Sequence, residues 1–360
     1  MTAQPQQRIR VLVIDDSAFS RRTIIRMLER SPLVEVTDWA PDGQEALAKA
    51  IENTYDLITL DLEMPRMDGF TFLRILMQRK PTPVIVVSGR GETQDVFKAL
   101  ELGAVDFVAK PTPRATPELA TIEQELIRKV HSIRELRLDR VSNPPTRTRA
   151  ARRAARPALR PHRVVAIGSS TGGPAALLRL FSDFRTPPPC AFVVSQHMPA
   201  GFTKSFARRL DATTPFRAVE AEDGMPVEEG VIMVAAGGSH LEFGSAGEAV
   251  VARLAQRSAA ERYAPGVDRM FRSAAKHWGA DLLAVVLTGM GDDGAAGAAA
   301  VKRAGGNVIV ESAETAVVFG MPQQAIRSGA VDAVLPLHEI APTIESSLSS
   351  LQPADPRSVE

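Results

Sequence analysis

The chain has 360 residues, of which 44% are hydrophobic and 24% charged, with a formal net charge of +1. This balance is typical of a globular protein with a sizeable core, and the length suffices for two or three domains. The single cysteine, Cys190, excludes an internal disulfide and favours a cytoplasmic protein with one buried structural thiol. Aromatic residues make up 5%, which argues against base-stacking nucleic-acid modules, and no apolar run of about 18 residues predicts a membrane span.

Residues 1–135 alternate strand-like and helical patterns, which predicts an N-terminal α/β domain with a five-stranded, doubly wound parallel sheet. The strand-like segments are IRVLVID, VEVTDWA, DLITLD, PVIVVS and DFVAK. In the first predicted helix Ser17 is a candidate N-cap, and one helical side carries Phe19, Ile24, Met27 and Leu28. A long helix over about residues 117–135 closes the domain.

Three aspartates stand at strand ends in this domain, Asp15 and Asp16 after the first strand and Asp61 after the third. The carboxyl ends of parallel strands line one crevice, so these carboxylates are expected to raise one another's pKa unless a cation intervenes. Mg²⁺ suits such oxygen ligands, and we expect Asp16 and Asp61 to hold it. Ser88 and Lys110 end two further strands and complete a site for a phosphoryl group on Asp61. Asp16 alone is also compatible with a simple helix cap.

These residues resemble the receiver domain of two-component response regulators over about residues 8–128. The resemblance implies that Asp61 accepts phosphate from a histidine kinase. It also implies that Ser88 and Phe107 form a switch that repacks on phosphorylation, although Phe107 fits an ordinary core position equally well.

A change in composition separates the two halves of the chain. Residues 136–163 contain many arginines, several prolines and one acid, which predicts a basic linker. The prolines and the lack of aromatics favour a soluble tether over a segment that binds nucleic acid or lipid. The final residues, 351–360, are expected to be a frayed tail.

Residues 164–350 resume the alternating pattern and predict a second α/β domain with a mostly parallel sheet. The strand-like segments are VVAIG, AFVVSQ, GVIMVAA, DLLAVVLTG, GNVIVES and AVDAVLPL. The segment HLEFGSAGEAVVARL predicts an added hairpin.

The segment VVAIGSSTGGPAALLRL, residues 164–180, reads as strand, glycine loop and helix. Gly168, Ser170 and Gly172 match G-x-S-x-G, the pattern that exposes a nucleophilic serine between a strand and a helix. The loop lacks the lysine and the glycine spacing of phosphate-binding loops. On spacing alone, a small-residue turn that only packs the helix on the sheet is an equal alternative.

A serine nucleophile needs a base and an acid, which we expect at other strand ends of the same sheet. His197 follows one strand, with His240 as a rival at another, and Asp293 follows the strand LLAVVLTG. Each has a plainer interpretation, His197 as a hydrogen-bonded strand-end histidine and Asp293 as the N-cap of the next helix. Together with Ser170 they predict a Ser-His-Asp triad for acyl transfer.

The motifs IGSSTGGP, SQHMPAGFT, LTGMGDDGAAG and VVFGMPQQAI resemble the chemotaxis receptor methylesterase family, CheB, over residues 164–345. The resemblance implies a protein-glutamate methylesterase and protein-glutamine glutaminase that acts on methyl-accepting chemoreceptors, with no cofactor at the hydrolase site. By motif position it assigns Ser170 as the nucleophile, His197 as the base and Asp293, rather than Asp292, as the orienting acid.

The same resemblance implies an oxyanion donor at the Met290 N–H and a site-lining role for Thr171. Ala236 and Gly266 stand where the family often has proline and serine, which leaves the reaction class unchanged. We expect a monomer whose unphosphorylated receiver blocks the hydrolase cleft. The alternatives are a hydrolase of another ester in a non-chemotaxis pathway and a non-enzymatic scaffold.

Overall fold

The computed structural model describes residues 8–89, 93–111, 117–133, 161–258 and 261–349. The predicted linker, apart from residues 161–163, and the predicted tail lie outside these ranges. The chain divides into two compact units. No helix in the described ranges is long and apolar enough to cross a bilayer.

The N-terminal unit alternates five strands with five helices. The strands are β1 (Ile9–Ile14), β2 (Val34–Ala40), β3 (Leu57–Leu60), β4 (Val84–Ser88) and β5 (Asp106–Ala109). The helices are α1 (Ala18–Glu29), α2 (Gly43–Glu52), α3 (Gly69–Arg79), α4 (Thr93–Glu101) and α5 (Pro117–Ser132). All strand pairs are parallel and follow the order β2-β1-β3-β4-β5, which confirms the predicted sheet.

The central strands of this sheet are buried apart from half-buried Arg10 in β1, which explains their largely apolar composition. Ser17 caps α1 by accepting a hydrogen bond from the Ser20 N–H at 3.3 Å. Ile24 and Leu28 enter the core, but Phe19 is 43% exposed and does not share their buried face.

Within the described ranges, the C-terminal unit contains nine strands and six α-helices. The strands are β6 (Val164–Ser169), β7 (Ala191–Gln196), β8 (Arg217–Glu220), β9 (Val231–Val234), β10 (Ser239–Ala246), β11 (Ala249–Gln256), β12 (Leu282–Val286), β13 (Asn307–Glu311) and β14 (Ala333–Leu335). The helices are α6 (Gly173–Asp183), α7 (Phe202–Thr213), α8 (Val267–Trp278), α9 (Ala295–Arg303), α10 (Gly320–Arg327) and α11 (Leu337–Ser349).

Seven of these strands form one parallel sheet in the order β14-β13-β12-β6-β7-β9-β8. The edge strand β8 was not predicted, because its four residues RAVE include two charged side chains that suit an edge. The predicted hairpin is confirmed by the antiparallel pair β10–β11. Cys190 is fully buried directly before β7, and burial raises the pKa of its thiol.

The order of the strands locates a crevice in this unit. The chain runs from β6 to β7 on one side and later places β12 on the other side of β6. In an open α/β sheet, ligands bind beyond the carboxyl ends of the strands where the order reverses in this way. The loops that follow β6 and β12 therefore border this crevice.

Candidate active site

Ser170 lies directly beyond β6, at this reversal point. It is 8% exposed, and its backbone N–H donates to the carbonyl of Thr288 at 3.0 Å. Thr288 follows β12, so this bond joins the ends of the two neighbouring strands. The predicted nucleophile is thus held at the crevice by main-chain contacts.

The glycines around Ser170 are required by close packing. A Cβ on Gly289 would lie 2.8 Å from the Ser170 Cβ, and one on Gly173 would lie 2.1 Å from the Gln196 Oε1. Gly172 has a φ of +77°, which L side chains rarely adopt. The packing role that the sequence suggested is therefore present, and the case for a nucleophile depends on what surrounds Ser170.

Gln196 connects the nucleophile and the candidate base. Its side-chain Nε2 donates to the Ser170 carbonyl at 2.9 Å and to the His197 carbonyl at 3.0 Å. Its Oε1 accepts a hydrogen bond from the Ser169 hydroxyl at 2.6 Å. Gln196 is 1% exposed, so these bonds fix two adjacent strand ends in a buried setting. Gln196 was not predicted, because a glutamine at a strand end has no distinctive sequence pattern.

His197 and Asp293 are joined directly, with 2.8 Å between the histidine Nε2 and the aspartate Oδ2. Their side chains are 9% and 10% exposed. Burial acts to raise the pKa of Asp293, but the hydrogen bond and charge of His197, together with two backbone N–H donors, hold that pKa below its usual value. Asp293 is therefore an ionised carboxylate at neutral pH, whereas its neighbour Asp292 is exposed.

The bond between these side chains determines the tautomer of the imidazole. An ionised Asp293 can only accept a hydrogen bond, so Nε2 of His197 must carry a proton. In the neutral ring this leaves Nδ1 as a proton acceptor. Nδ1 is buried and has no hydrogen-bond partner within the described residues. The imidazole thus holds an unused acceptor on the ring edge that does not face Asp293.

Asp293 also binds the start of α8. Its Oδ2 accepts from the Val267 N–H and its Oδ1 from the Asp268 N–H, both at 2.8 Å. The positive end of the α8 dipole favours the ionised carboxylate there. The alternative interpretation, a cap on the helix that follows Asp293, is wrong, since the N-cap of α9 is Gly294.

The rival histidine has a different setting. His240 is 1% exposed, and its Nδ1 accepts the Gly266 N–H at 3.1 Å while Nε2 lies 3.3 Å from a Glu261 carboxylate oxygen. Burial lowers the pKa of His240. Between Glu261 and Gly266, the two partners of His240, Tyr263 stacks on His197 with ring centroids 4.0 Å apart. Tyr263 was not predicted as a site residue, because no sequence motif includes it.

The resemblance assigned two further residues, Thr171 and Met290, to the surroundings of the nucleophile. Thr171 is 3% exposed, and its carbonyl accepts a hydrogen bond from the Thr288 hydroxyl at 2.9 Å. Met290 follows Gly289, which packs against Ser170. Beneath them, buried Glu311 accepts the Thr288 N–H at 2.8 Å, and burial raises the pKa of Glu311 to about 7.

A second candidate site lies in the N-terminal unit. Ligand oxygens of Asp15, Asp16 and Asp61 all lie within 4.8 Å of one another. The Lys110 Nζ is 2.5 Å from Asp61 Oδ2 and 3.5 Å from Asp15 Oδ2. The predicted cluster is therefore assembled, and Ser17 rather than Asp16 is the cap of α1.

The electrostatics of this cluster suit a cation. Burial raises the pKa of Asp61 to about 6 and also raises the pKa of Asp15. Burial would lower the pKa of Lys110, but its contacts with Asp61 and Asp15 raise it. Three carboxylates with a single nearby ammonium leave negative charge that one divalent ion bound by hard oxygen ligands would neutralise.

The predicted switch residues lie in the neighbouring strands β4 and β5, and Phe107 is inside β5, where it pairs with Val86. Ser88 ends β4, and its carbonyl accepts the Lys110 N–H at 2.7 Å. Phe107 is 1% exposed and packs edge to face on Phe97, with centroids 6.4 Å apart. Phe107 thus occupies a core position in this state.

Comparisons with known proteins identify both domains. The "CheB methylesterase" family model matches residues 165–344, and the "Response regulator receiver domain" model matches residues 11–120. Protein-glutamate methylesterase/protein-glutamine glutaminase 3 of Geobacter sulfurreducens is 48% identical and covers 97% of this chain and 100% of its own.

Further relatives show the same pattern. Protein-glutamate methylesterase/protein-glutamine glutaminase 1 of Myxococcus xanthus is 48% identical over 93% of this chain and 96% of its own. The crystal structure of the Thermotoga maritima CheB methylesterase catalytic domain is 41% identical, with a TM-score of 0.49, over 51% of this chain and 98% of that one. The two family-model matches and the two relatives at 48% identity show that the chain belongs to the CheB methylesterase family and carries an N-terminal response regulator receiver domain.

Proposed function

We propose that the chain is a phosphorylation-activated protein-glutamate methylesterase and protein-glutamine glutaminase of chemotaxis adaptation. Its substrates are glutamate γ-methyl esters and certain glutamines on methyl-accepting chemoreceptors, and its phosphodonor is a histidine kinase. The names of the relatives support this activity. The observation that carries it is the His197–Asp293 bond of 2.8 Å beside Ser170 at the reversal point of the sheet. The single buried cysteine is in keeping with action in the cytoplasm.

In the first half-reaction, the hydroxyl oxygen of Ser170 attacks the ester carbonyl carbon while its proton moves to Nδ1 of His197. Asp293 stabilises the resulting imidazolium through Nε2 and remains ionised. Backbone N–H groups at the crevice, with Met290 as the assigned donor, stabilise the oxyanion, and one such donor contributes about 10²–10³ in rate. His197 then returns the proton to the departing methoxide, and methanol leaves.

In the second half-reaction, water attacks the acyl group on Ser170. His197 takes one proton from the water, and this proton later returns to the serine oxygen as the carboxylate product forms. A glutamine side chain follows the same path and releases ammonia instead of methanol. Thr171, packed beside the nucleophile, lines the site on this proposal.

For the receiver, we propose that Asp16 and Asp61 hold Mg²⁺ and that Asp61 takes the phosphoryl group. When bound, the ion offsets negative charge on the phosphoryl oxygens. Lys110 contacts Oδ2 of Asp61 and supplies a second positive charge. Ser88 and Asp15 complete the pocket. Phosphorylation then favours an open form of the hydrolase by a shift in population.

The proposal is tested by incubating the purified chain with methylated chemoreceptor, with and without acetyl phosphate, and measuring methanol. We expect release that the phosphodonor increases and that Ser170→Ala abolishes while the variant keeps the wild-type circular dichroism spectrum. Retained release in Ser170→Ala would refute the triad. Hydrolysis of small esters without release from the receptor would favour a different substrate.

A further inference from the structure

Tyr263 is the aromatic side chain that faces the candidate base. Its ring is nearly parallel to the His197 imidazole, with centroids 4.0 Å apart and an angle of 6° between the planes. Aromatic pairs more commonly keep their centroids 4.5–7 Å apart in offset or edge-to-face arrangements. The two rings are therefore stacked unusually closely.

The close stack is informative because one ring changes its charge during the reaction. Two neutral aromatic faces gain little from parallel stacking, since both carry negative charge on their faces. A cation over the face of a tyrosine is attracted to it. The attraction between the two rings is therefore strongest when His197 holds the Ser170 proton. This is the state that precedes departure of the leaving group.

The segment that carries Tyr263 is anchored on several sides. The Ala264 carbonyl accepts the Gly238 N–H at 3.1 Å, and the Gly266 N–H donates to His240 at 3.1 Å. Upstream, the Glu261 carboxylate accepts from Arg269 at 2.9 Å. These bonds join the segment to two parts of the domain, the start of β10 and helix α8, and so fix the backbone that carries the tyrosine ring.

The hydroxyl end of Tyr263 lies against Gly291, in the loop that carries the candidate acid Asp293. A Cβ added to Gly291 would lie 2.8 Å from the tyrosine hydroxyl, and Gly291 has a φ of +95°. A side chain at this position would therefore displace the tyrosine. Gly291 lets the ring lie between the loop of Asp293 and the imidazole face.

We propose that Tyr263 is a positioning residue for the base. Its ring holds the plane of the His197 imidazole, while Asp293 holds one ring edge through Nε2. Together these contacts keep Nδ1 available to Ser170, and the tyrosine face stabilises the imidazolium. This inference rests on His197 being the base in the proposed function, but it needs no assumption about the natural substrate.

A fluorophosphonate probe provides a test that is independent of the receptor. The Ser170 oxygen forms a bond to phosphorus, the phosphorus–fluorine bond breaks, fluoride leaves, and the serine proton passes to His197. We expect Tyr263→Leu to lower the labelling rate about tenfold, which corresponds to about 1.4 kcal/mol. Tyr263→Phe keeps the ring and is expected to stay within about threefold of the wild type.

The steady-state constants separate positioning from substrate contact. With methylated receptor, Tyr263→Leu is expected to lower kcat and to change KM by less than about twofold. The control is Arg262→Ala, which removes the exposed neighbouring side chain and is expected to label at the wild-type rate. Circular dichroism and thermal unfolding show that each variant is folded.

The possible outcomes are distinct. If the wild type is not labelled at Ser170, the proposed function itself fails. If the wild type is labelled but the Leu variant reacts as fast, Tyr263 has no role in positioning. Equal losses in the Leu and Phe variants would assign the effect to the hydroxyl, and an increase in KM alone would make Tyr263 a substrate contact. Each of these last two results would also overturn the inference.

Discussion

Asp268 and Asp293 each cap the helix that begins beside the other. Asp293 accepts two backbone N–H groups at the start of α8, including that of Asp268 itself. In return, Asp268 Oδ1 accepts the Gly294 N–H at 2.9 Å and the Gly297 N–H at 2.6 Å at the start of α9. The loop that presents the candidate catalytic acid is thus closed by a reciprocal pair of carboxylates.

This reciprocity predicts that Asp268 supports both stability and reactivity. Asp268→Ala leaves two N–H donors without their acceptor and is expected to cost about 1–2 kcal/mol in the free energy of unfolding. The loosened Asp293 loop should also slow fluorophosphonate labelling several-fold. Urea unfolding and labelling rates measure the two effects.

The matched control for this prediction is Arg272→Ala. It removes the 3.2 Å ion pair to Asp268 but leaves both caps intact. Because this arginine is 48% exposed, we expect a change below about 0.5 kcal/mol. An Asp268→Ala variant as stable and as reactive as the wild type would show that the caps contribute nothing.

A second prediction concerns the charge on the candidate catalytic acid. In Asp293→Asn, an amide nitrogen that faces Nε2 of His197 would stabilise the tautomer with a proton on Nδ1. That tautomer cannot take the proton of Ser170, so we expect the rate of methanol release to fall by about 10³–10⁴. Exposed Asp292→Asn is the control and is expected to keep the wild-type rate. Equal effects in both variants would remove Asp293 from the mechanism.

The sequence supports prediction of the residues that follow strongly apolar strands. Ser170 and His197 come directly after β6 and β7, and Asp61 comes directly after β3. Their positions follow from the rule that parallel strands end at one edge. Periodicity in the sequence reveals these strands, so the residues directly beyond them can be predicted as site candidates from the sequence alone.

The remaining features depend on contacts between distant segments. Tyr263 lies in a short irregular segment, and its stack on His197 joins positions 66 residues apart in the numbering. The side chain of Gln196 donates to the backbone carbonyls of Ser170 and His197. Because every residue has a backbone carbonyl, this role leaves no signature in the sequence. Asp293 caps α8 rather than the helix that follows it, because tertiary packing brings the start of α8 to it.

A third prediction follows from the buried carboxyl group under the nucleophile loop. Burial raises the pKa of Glu311 from 4.5 to about 7. The folded state therefore binds the Glu311 proton more tightly than the unfolded state does. The contribution of Glu311 to the free energy of unfolding falls as the pH rises from about 4.5 to 7. Glu311→Gln removes this titration and retains an oxygen that can accept the Thr288 N–H.

We expect Glu311→Gln and the wild type to differ little in unfolding free energy at pH 4. At pH 8 the variant should be more stable by up to about 3 kcal/mol, which is the shift converted at 1.36 kcal/mol per pKa unit. Urea unfolding at both pH values measures the difference between the two proteins, so that groups common to both cancel. A difference that does not change between pH 4 and pH 8 would contradict the titration of Glu311 in this range.

The last prediction concerns the acidic cluster of the receiver. Asp16 is the exposed member, whereas Asp15 and Asp61 are buried and have raised pKa values, so its removal should change the fold least. We expect Asp16→Ala to weaken Mg²⁺ binding at least tenfold, or about 1.4 kcal/mol, in titration calorimetry. It should also reduce the acetyl phosphate stimulation of methanol release while the unstimulated rate stays the same.

Glu52→Ala provides the control for this variant, because it removes the same charge from an exposed position at the end of α2 in the same unit. Its Mg²⁺ affinity and its stimulation should match those of the wild type. If both variants lose affinity equally, the effect reflects net charge rather than coordination. If neither loses affinity, Asp16 does not hold the ion, and the buried pair Asp15 and Asp61 would have to bind it without Asp16.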